Sequence, residues 1–228
     1  MRGRDPAAHL CVMTIGLQQD CFIAFPNGRA IILDVPRDRY RRLDASTSSL
    51  LADLLEGVMP DPSDVRLQYL LDDEILVAGA AAKALATVPI AAASQDLGDT
   101  VGHPAALGRC ETWWALVVAR RNLRLKGMAW SLAKARRQAA LLRKTDLTAA
   151  IGLTRAFLRH RRWLTMPSHC LPDGLALHAL LCRHGVSAEL MIGIRDQPFA
   201  AHCWVQTGNT VLSDTVDAIA ELTPILAL

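Results

Sequence analysis

The sequence predicts an α+β protein built in two parts. Three observations carry this. Residues 9–83 begin as short runs rich in β-branched side chains and then turn to helical spacing. Residues 125–142 keep one apolar stripe at three-and-four spacing, and residues 188–213 return to strand-like alternation. Hydrophobic residues make up 51% of the 228 and charged residues 21%, which excludes disorder as the main state.

In order, residues 11–17, 20–25 and 30–35 are expected as three antiparallel strands, separated by Gln18-Gln19 and by Pro26-Asn27-Gly28-Arg29. Residues 36–43 read as one or two helical turns. Asp44, Ser46 and Thr47 offer caps for a helix over 48–56, which carries Leu50, Leu51, Leu54 and Leu55 and stops at Gly57. Pro62-Ser63-Asp64 opens a third helix with Val65, Leu67, Tyr69, Leu70 and Leu71. Residues 85–106, rich in Ala, Gly, Ser and Thr, have weak periodicity and are expected as a linker between parts spanning 1–84 and 107–228. Helices follow at about 109–122, 128–143 and 146–161. Their stripe of Leu125, Met128, Ala129, Leu132, Ala135, Ala139 and Leu142 is core, opposite Arg124, Lys134, Arg137 and Lys144. A further helix runs from residue 170 to His184 and ends at Gly185. Strands at 188–195, 200–207 and 210–213 complete the chain, with Gly208-Asn209 turning between the last two.

No uncharged apolar run approaches the ~20 residues a membrane span needs. The start, with Arg2, Arg4 and His9, lacks a signal-peptide pattern, so a cytoplasmic location is expected. The cysteines at 11, 21, 110, 170, 182 and 203 have no CxxC spacing and are expected as free thiols. Charge is uneven: residues 1–106 carry net −5, residues 107–163 net +12 and residues 164–228 net −4. So basic a block suits nucleic acid, an acidic membrane surface, an acidic partner protein or simply solvated helix faces; no nucleic-acid motif accompanies it, and no nucleic-acid partner is expected.

The candidate chemistry lies near the end. Cys170 falls at a helix start, where free backbone N–H groups and the helix dipole favour a thiolate. A nucleophilic thiolate needs an imidazole to stabilise it and later protonate the leaving amine, and the imidazole needs a group to fix its tautomer. Alternation places His202, Trp204 and Gln206 on one strand face, and Asp214 stands at the end of the next strand. This constrains the hairpin. A two-residue Gly208-Asn209 loop would pair Cys203 with Asp214 and turn the acid away from His202, so a three-residue or bulged turn is expected. A zinc site from His169, Cys170, Cys182, His184, His202 and Cys203 is the competing reading. Cys182 and His184 do not share a helix face, and no metal is expected.

The order of Cys on a helix start, then His and Asp on adjacent strands, is that of papain-like and transglutaminase-like enzymes. The segments His169-Cys170-Leu171, Leu175-Ala-Leu177-His178-Ala-Leu180-Leu181, His184-Gly185-Val186, Ile192-Gly193-Ile194 and Phe199-Ala-Ala-His202-Cys-Trp204-Val205-Gln206 together resemble the leader peptidases of lasso-peptide biosynthesis, the B proteins, over roughly the last 60 residues. The resemblance implies a papain/transglutaminase-like C-terminal domain, helices packed on an antiparallel sheet. Its implied catalytic residues are Cys170, His202 and Asp214, with no cofactor of its own. Ile32-Leu33-Asp34 followed by Tyr40-Arg41-Arg42-Leu43-Asp44 is similar to the leader-recognition domain of ribosomal-peptide modification systems, which implies a winged-helix-like module of three strands and three helices. A precursor leader is then expected to add as a strand along Ile31, Ile32, Leu33, Asp34 and Val35, with Arg66, Tyr69 and Leu70 lining a groove. The implied partners are the precursor peptide and an ATP-dependent, asparagine-synthetase-like cyclase, for which Arg120, Arg121 and Arg124 of the basic block are candidate docking residues. A transglutaminase-like acyl transferase and a non-catalytic leader-binding adaptor are the alternatives.

Overall fold

The computed structural model of the chain describes residues 15–79, 82–89, 93–100, 105–142 and 146–228, in a mixed α+β arrangement. The expected first strand lies partly outside these residues. Its described end, β1 (Ile15–Leu17), pairs not with the next strand but with β5 (Leu76–Ala78). The N-terminal sheet is instead β2 (Cys21–Ala24), β3 (Ile31–Asp34) and β4 (Arg39–Arg42), antiparallel, with β3 in the centre.

β4 corrects the helical expectation for residues 36–43. The Asp34 carboxylate is 1% exposed and accepts from the Arg37 amide at 3.1 Å and from the Arg37 and Arg39 guanidiniums at 3.2 and 3.3 Å. These bonds draw the chain into a reversal, with Asp38 at φ 51°, and send it back beside β3. Two helices rather than three then follow among the described residues. They are α1 (Ala45–Leu55) and α2 (Val65–Asp72), whose first turns are capped by the Asp44 and Asp64 carboxylates at 3.0 and 2.8 Å. Ser48 of α1 ties to β3 by accepting the Ala30 amide at 3.0 Å.

Within residues 85–106, β6 (Gln95–Asp96) lies parallel to a strand of the second sheet. The long helix α3 (Arg109–Ala140) is broken at Gly127, whose φ of 79° an L-residue rarely adopts. α4 (Leu147–Arg161) and α5 (Cys170–Arg183) follow. The second sheet has the order β10-β7-β8-β9-β6, formed by β7 (Glu189–Arg195), β8 (Ala200–Thr207), β9 (Thr210–Val211) and β10 (Thr223–Ala227). The short helix α6 (Val216–Ile219) and β10 answer to nothing expected from the sequence. No described helix is long and apolar enough to cross a membrane.

Side chains alternate along β3, and the two faces enter different cores. Ile31 and Leu33, with Val35, join the large core of α3, α4, α5, β7 and β8. Ile32, with Ala30, joins the smaller core of β1, β2, α1, α2 and β5. All four residues of β3 are at most 1% exposed. Two further contacts pin β4 against the turn after β7. Arg42 Nε lies 2.9 Å from the buried Asp196 carboxylate, and the rings of Tyr40 and Phe199 sit 5.4 Å apart.

Candidate active site

The site forms where α5 begins against the open edge of β8. Cys170 is the first residue of α5, after His169 in extended conformation, and Pro172 occupies the first turn where a missing N–H costs nothing. Leu177, Leu180 and Leu181 anchor the helix in the core. Gly174, one turn beyond Cys170, allows close approach to the sheet: a Cβ there would stand 3.0 Å from Cys203 Sγ and 3.2 Å from Leu190 Cδ1.

The hairpin has the two-residue turn that sequence reasoning ruled against. Thr207 pairs with Thr210 and Gln206 with Val211, around Gly208 at φ 56°. The irregularity comes two residues later instead. Leu212 N–H and Ser213 N–H both point at Val205 O, at 2.8 and 3.4 Å, and Ser213 Oγ accepts the Val205 amide at 2.9 Å. Two residues thus face one, a bulge that shifts the register and returns Asp214 to His202. Asp214 Oδ2 lies 2.5 Å from His202 Nε2. This leaves Nδ1 for the thiol.

The same departure of the chain after β9 uncovers the edge of β8. Val205 turns its N–H and C=O toward β9, so by alternation Cys203 does too, beyond the last paired residue. There the Cys203 amide meets the Cys170 sulfur. Contact with His202 is the main influence holding the Cys170 thiol below its usual range, against the opposing effect of burial; the Cys203 and Leu171 amides add to it. The His202 imidazole is pushed up to about 9, first by Cys170 and then by Asp214, again against burial. The contact thus shifts the two groups in opposite senses, the thiol down and the imidazole up, which favours thiolate and imidazolium over the neutral pair. Cys203 itself is buried, and its thiol is pushed up by that burial and by Cys170. The His202 ring stacks on Trp204 at 6.4 Å, and Trp204 Nε1 donates to Gln206 Oε1 at 2.9 Å. Gly193, opposite His202 on β7, leaves room for the Trp204 ring. A cavity of about 230 Å³ contains the three groups, with Phe157, Leu158 and Leu177 among its apolar lining.

Residues not foreseen at the active site, Arg120 among them although it was expected at a docking face, hold the approach to Cys170. The Asp173 carboxylate accepts from Arg120 Nη2 and Arg161 Nε, each at 2.9 Å, and from Ser168 Oγ at 3.1 Å. The same arginines donate to the Met166 and Pro167 carbonyls. Arg120 is thus bound internally rather than offered whole to a partner. Arg155 likewise donates to the Leu97 and Thr100 carbonyls. Sequence spacing marks Asp173 only as an acid in a helix's first turn; the arginines lie on two other helices, so no local signal links them.

The residues expected to bind a leader are distributed differently from that expectation. Ile31, Ile32, Leu33, Asp34 and Val35 are buried, and β3 is paired on both sides, so no peptide can add to it. Leu70 is also buried. Arg66 is held by Asp64, and Tyr69 Oη accepts from Arg41 Nη2 at 2.8 Å. Among the described residues the outer edge of β4 is unpaired. Leu43 N–H donates to Ala30 O, so by alternation Tyr40 and Arg42 present their backbone groups away from β3. Of the residues weighed for zinc, Cys170, His202 and Cys203 meet at the site while Cys182 and His184 lie elsewhere, and among the described residues no group of three or more His, Cys, Asp or Glu could hold a metal. Cys182 Sγ lies 3.8 Å from His178 Nε2, and His184 meets Glu111 at 3.0 Å.

A Cys–His–Asp constellation at a helix start against an antiparallel sheet defines a class, and the sequence comparison agrees. The chain belongs to the transglutaminase-like superfamily, whose profile matches residues 113–227, just over half of it. It is also similar to the microcin J25-processing protein McjB of Escherichia coli, 32% identical over 95 residues. That match covers 41% of this chain and 45% of McjB, so it spans less than half the length of either. No solved structure matches.

Proposed function

We propose that the protein is a lasso-peptide leader peptidase, a cysteine protease that binds the leader of a ribosomally made precursor and cleaves it from the core before macrolactam cyclisation. The observation that carries this reading is the geometry of the site: Cys170 at the start of α5 in contact with His202, and Asp214 on the second ring nitrogen. Cys170 Sγ attacks the carbonyl of the leader–core bond. The oxyanion is held by backbone N–H groups at the start of α5, including that of Cys170. His202 gives its proton to the departing core amine, leaving the leader as a thioester. Water, deprotonated by the now neutral His202, hydrolyses the thioester, and the thiol is regenerated. No step requires a metal or cofactor; ATP enters only through the partner cyclase that takes the freed core.

In this reading residues 1–84 are the winged-helix-like recognition part and residues 107–228 the peptidase. The leader adds to β4 rather than β3, pairing with the outward groups of Tyr40 and Arg42. The Tyr40–Phe199 and Arg42–Asp196 contacts bring that edge within a few residues of His202. Exposed cations of α3, Arg121 among them, are left for an acidic face of the cyclase.

The test is incubation with the genetically adjacent precursor and mass analysis of the products. Hydrolysis adds one water and releases a free core amine; incorporation of an added amine would replace this reading with acyl transfer. Processing unaffected by Cys170→Ala would leave only a binding adaptor. Hydrogen exchange locates the leader: the Tyr40 and Arg42 amides should slow on binding while those of β3 stay unchanged.

A further inference from the structure

We propose that the pocket beside the first turn of α5 is a subsite for a carboxylate side chain of the peptide substrate, near the scissile bond; this rests on the peptidase reading above. The pocket, about 470 Å³, is lined by Arg120, Leu123, Arg124, Pro167, His169 and Pro172. Two guanidiniums and an imidazole face it, with no carboxylate among its described lining. Arg120 spends Nη2 on Asp173 and the Pro167 carbonyl, while its Nη1 is buried without a hydrogen-bond partner. A guanidinium N–H with no acceptor is costly, and a turn of the Arg120 side chain, which keeps 22% of its surface in solvent, would offer it to an incoming carboxylate. Arg124, one helical turn further on, is exposed and makes no ion pair among the described residues. Like charges four apart on a helix repel, and an anion seated between them removes the penalty. Asp173 does not neutralise the pocket, because its single charge is shared between Arg120 and Arg161.

Position makes this a substrate site rather than a general anion trap. His169 directly precedes Cys170, and Pro172 lies two residues beyond it, so a chain crossing the thiolate passes the pocket mouth. On the other side of the centre the surface is acidic. Asp214, Asp217 and Glu221 line a cavity with Arg195, whose guanidinium is paired with Glu221. A peptide is therefore read with opposite charge on its two sides, and an acidic residue is accepted on only one.

Two measurements test this. The first needs no substrate: the rates at which iodoacetate and iodoacetamide alkylate Cys170, compared as a ratio by peptide mass spectrometry. Arg124→Gln should lower the iodoacetate-to-iodoacetamide ratio by about two- to threefold, and Arg124→Glu further, the order expected when one charge is removed beside a solvated cleft. Arg29→Gln, the same loss of charge on the N-terminal part, should not. An unchanged ratio in Arg124→Glu overturns the proposal. The second uses C-terminally amidated precursor peptides in which Glu or Gln is placed in turn at each position around the cut site. Native protein should favour Glu at one position on one side only, and Arg124→Glu should reverse this in favour of Lys. Cleavage without any such preference overturns the subsite and leaves the peptidase reading intact. Failure to cleave any peptide, with the alkylation ratio responding to Arg124, removes the peptidase reading and with it the substrate assignment, leaving an anion site.

Discussion

Asp214→Asn tests the chemistry of the site with little change in shape. Taking ~4 Å between the charge centres of Asp214 and His202 and an effective dielectric of ~20, 332/(εr) gives ~4 kcal/mol. The two side chains keep 25% and 32% of their surface in solvent, which screens the pair. Half the value, ~2 kcal/mol or ~1.5 pKa units, is the working figure. Removing the carboxylate lowers the imidazole from about 9 by that amount, so its proton is lost near neutrality. The thiolate–imidazolium state exists between the depressed Cys170 pKa and that of His202, and in the variant this window shrinks from its alkaline end. The profile of Cys170 alkylation by iodoacetamide from pH 5 to 10 reads both limits, which belong to the coupled pair rather than to either residue. The upper inflection should fall by about 1.5 units, and peptide cleavage by about 10²- to 10⁴-fold, as in other enzymes stripped of the orienting acid. An upper inflection that does not move would refute the role assigned to Asp214.

Cys170→Ala should lower the His202 pKa more than Asp214→Asn does, because the thiol is its largest support; proton NMR of the ring reads this directly. The stability that the pair contributes is lost as pH rises through about 9, where the imidazolium deprotonates, and again as pH falls through the depressed Cys170 pKa, where the thiolate protonates. The stability gap between native protein and Cys170→Ala should thus be widest between those two limits and shrink on either side in urea titrations across pH. Gly174→Ala should destabilise by about 1–3 kcal/mol through overpacking against Cys203 and Leu190, although alanine in a helix ordinarily gains ~1 kcal/mol over glycine. Its melting temperature should fall, and Cys203→Ala in the same chain should recover part of the loss. Asp173→Asn, which leaves Arg120 and Arg161 with a neutral partner, should speed proteolysis within residues 164–169 and slow Cys170 alkylation.

Elements with a strong apolar period were legible in the sequence: α1, α2, α4, α5, β7 and β8 follow from leucine spacing, caps and alternation. β4 was not, because Arg39-Tyr40-Arg41-Arg42 has no apolar alternation and the reversal that creates it is made by the side chain of Asp34. β10 is short and contains Pro224, and its partner β7 lies some thirty residues away, so pairing rather than propensity specifies it. At the site, residue chemistry and chain order singled out Cys170, His202 and Asp214, and the register argument required an irregularity. Its location escaped, because the turn itself follows the ordinary two-residue rule and Ser213 supplies the deviation through its hydroxyl. The Arg120–Asp173–Arg161 clamp escaped because it joins three helices.

β3 has a further consequence. A strand whose alternate side chains serve two cores leaves neither half a complete interior of its own. Cutting the chain between the parts would strip Ile31, Leu33 and Val35 of their neighbours on one side and open the floor under α5 on the other. Calorimetry of the intact protein should therefore record one transition rather than two. Any displacement of β4 would pass through β3 into the packing beneath Cys170, so the outer edge of the sheet and the thiol share one mechanical path.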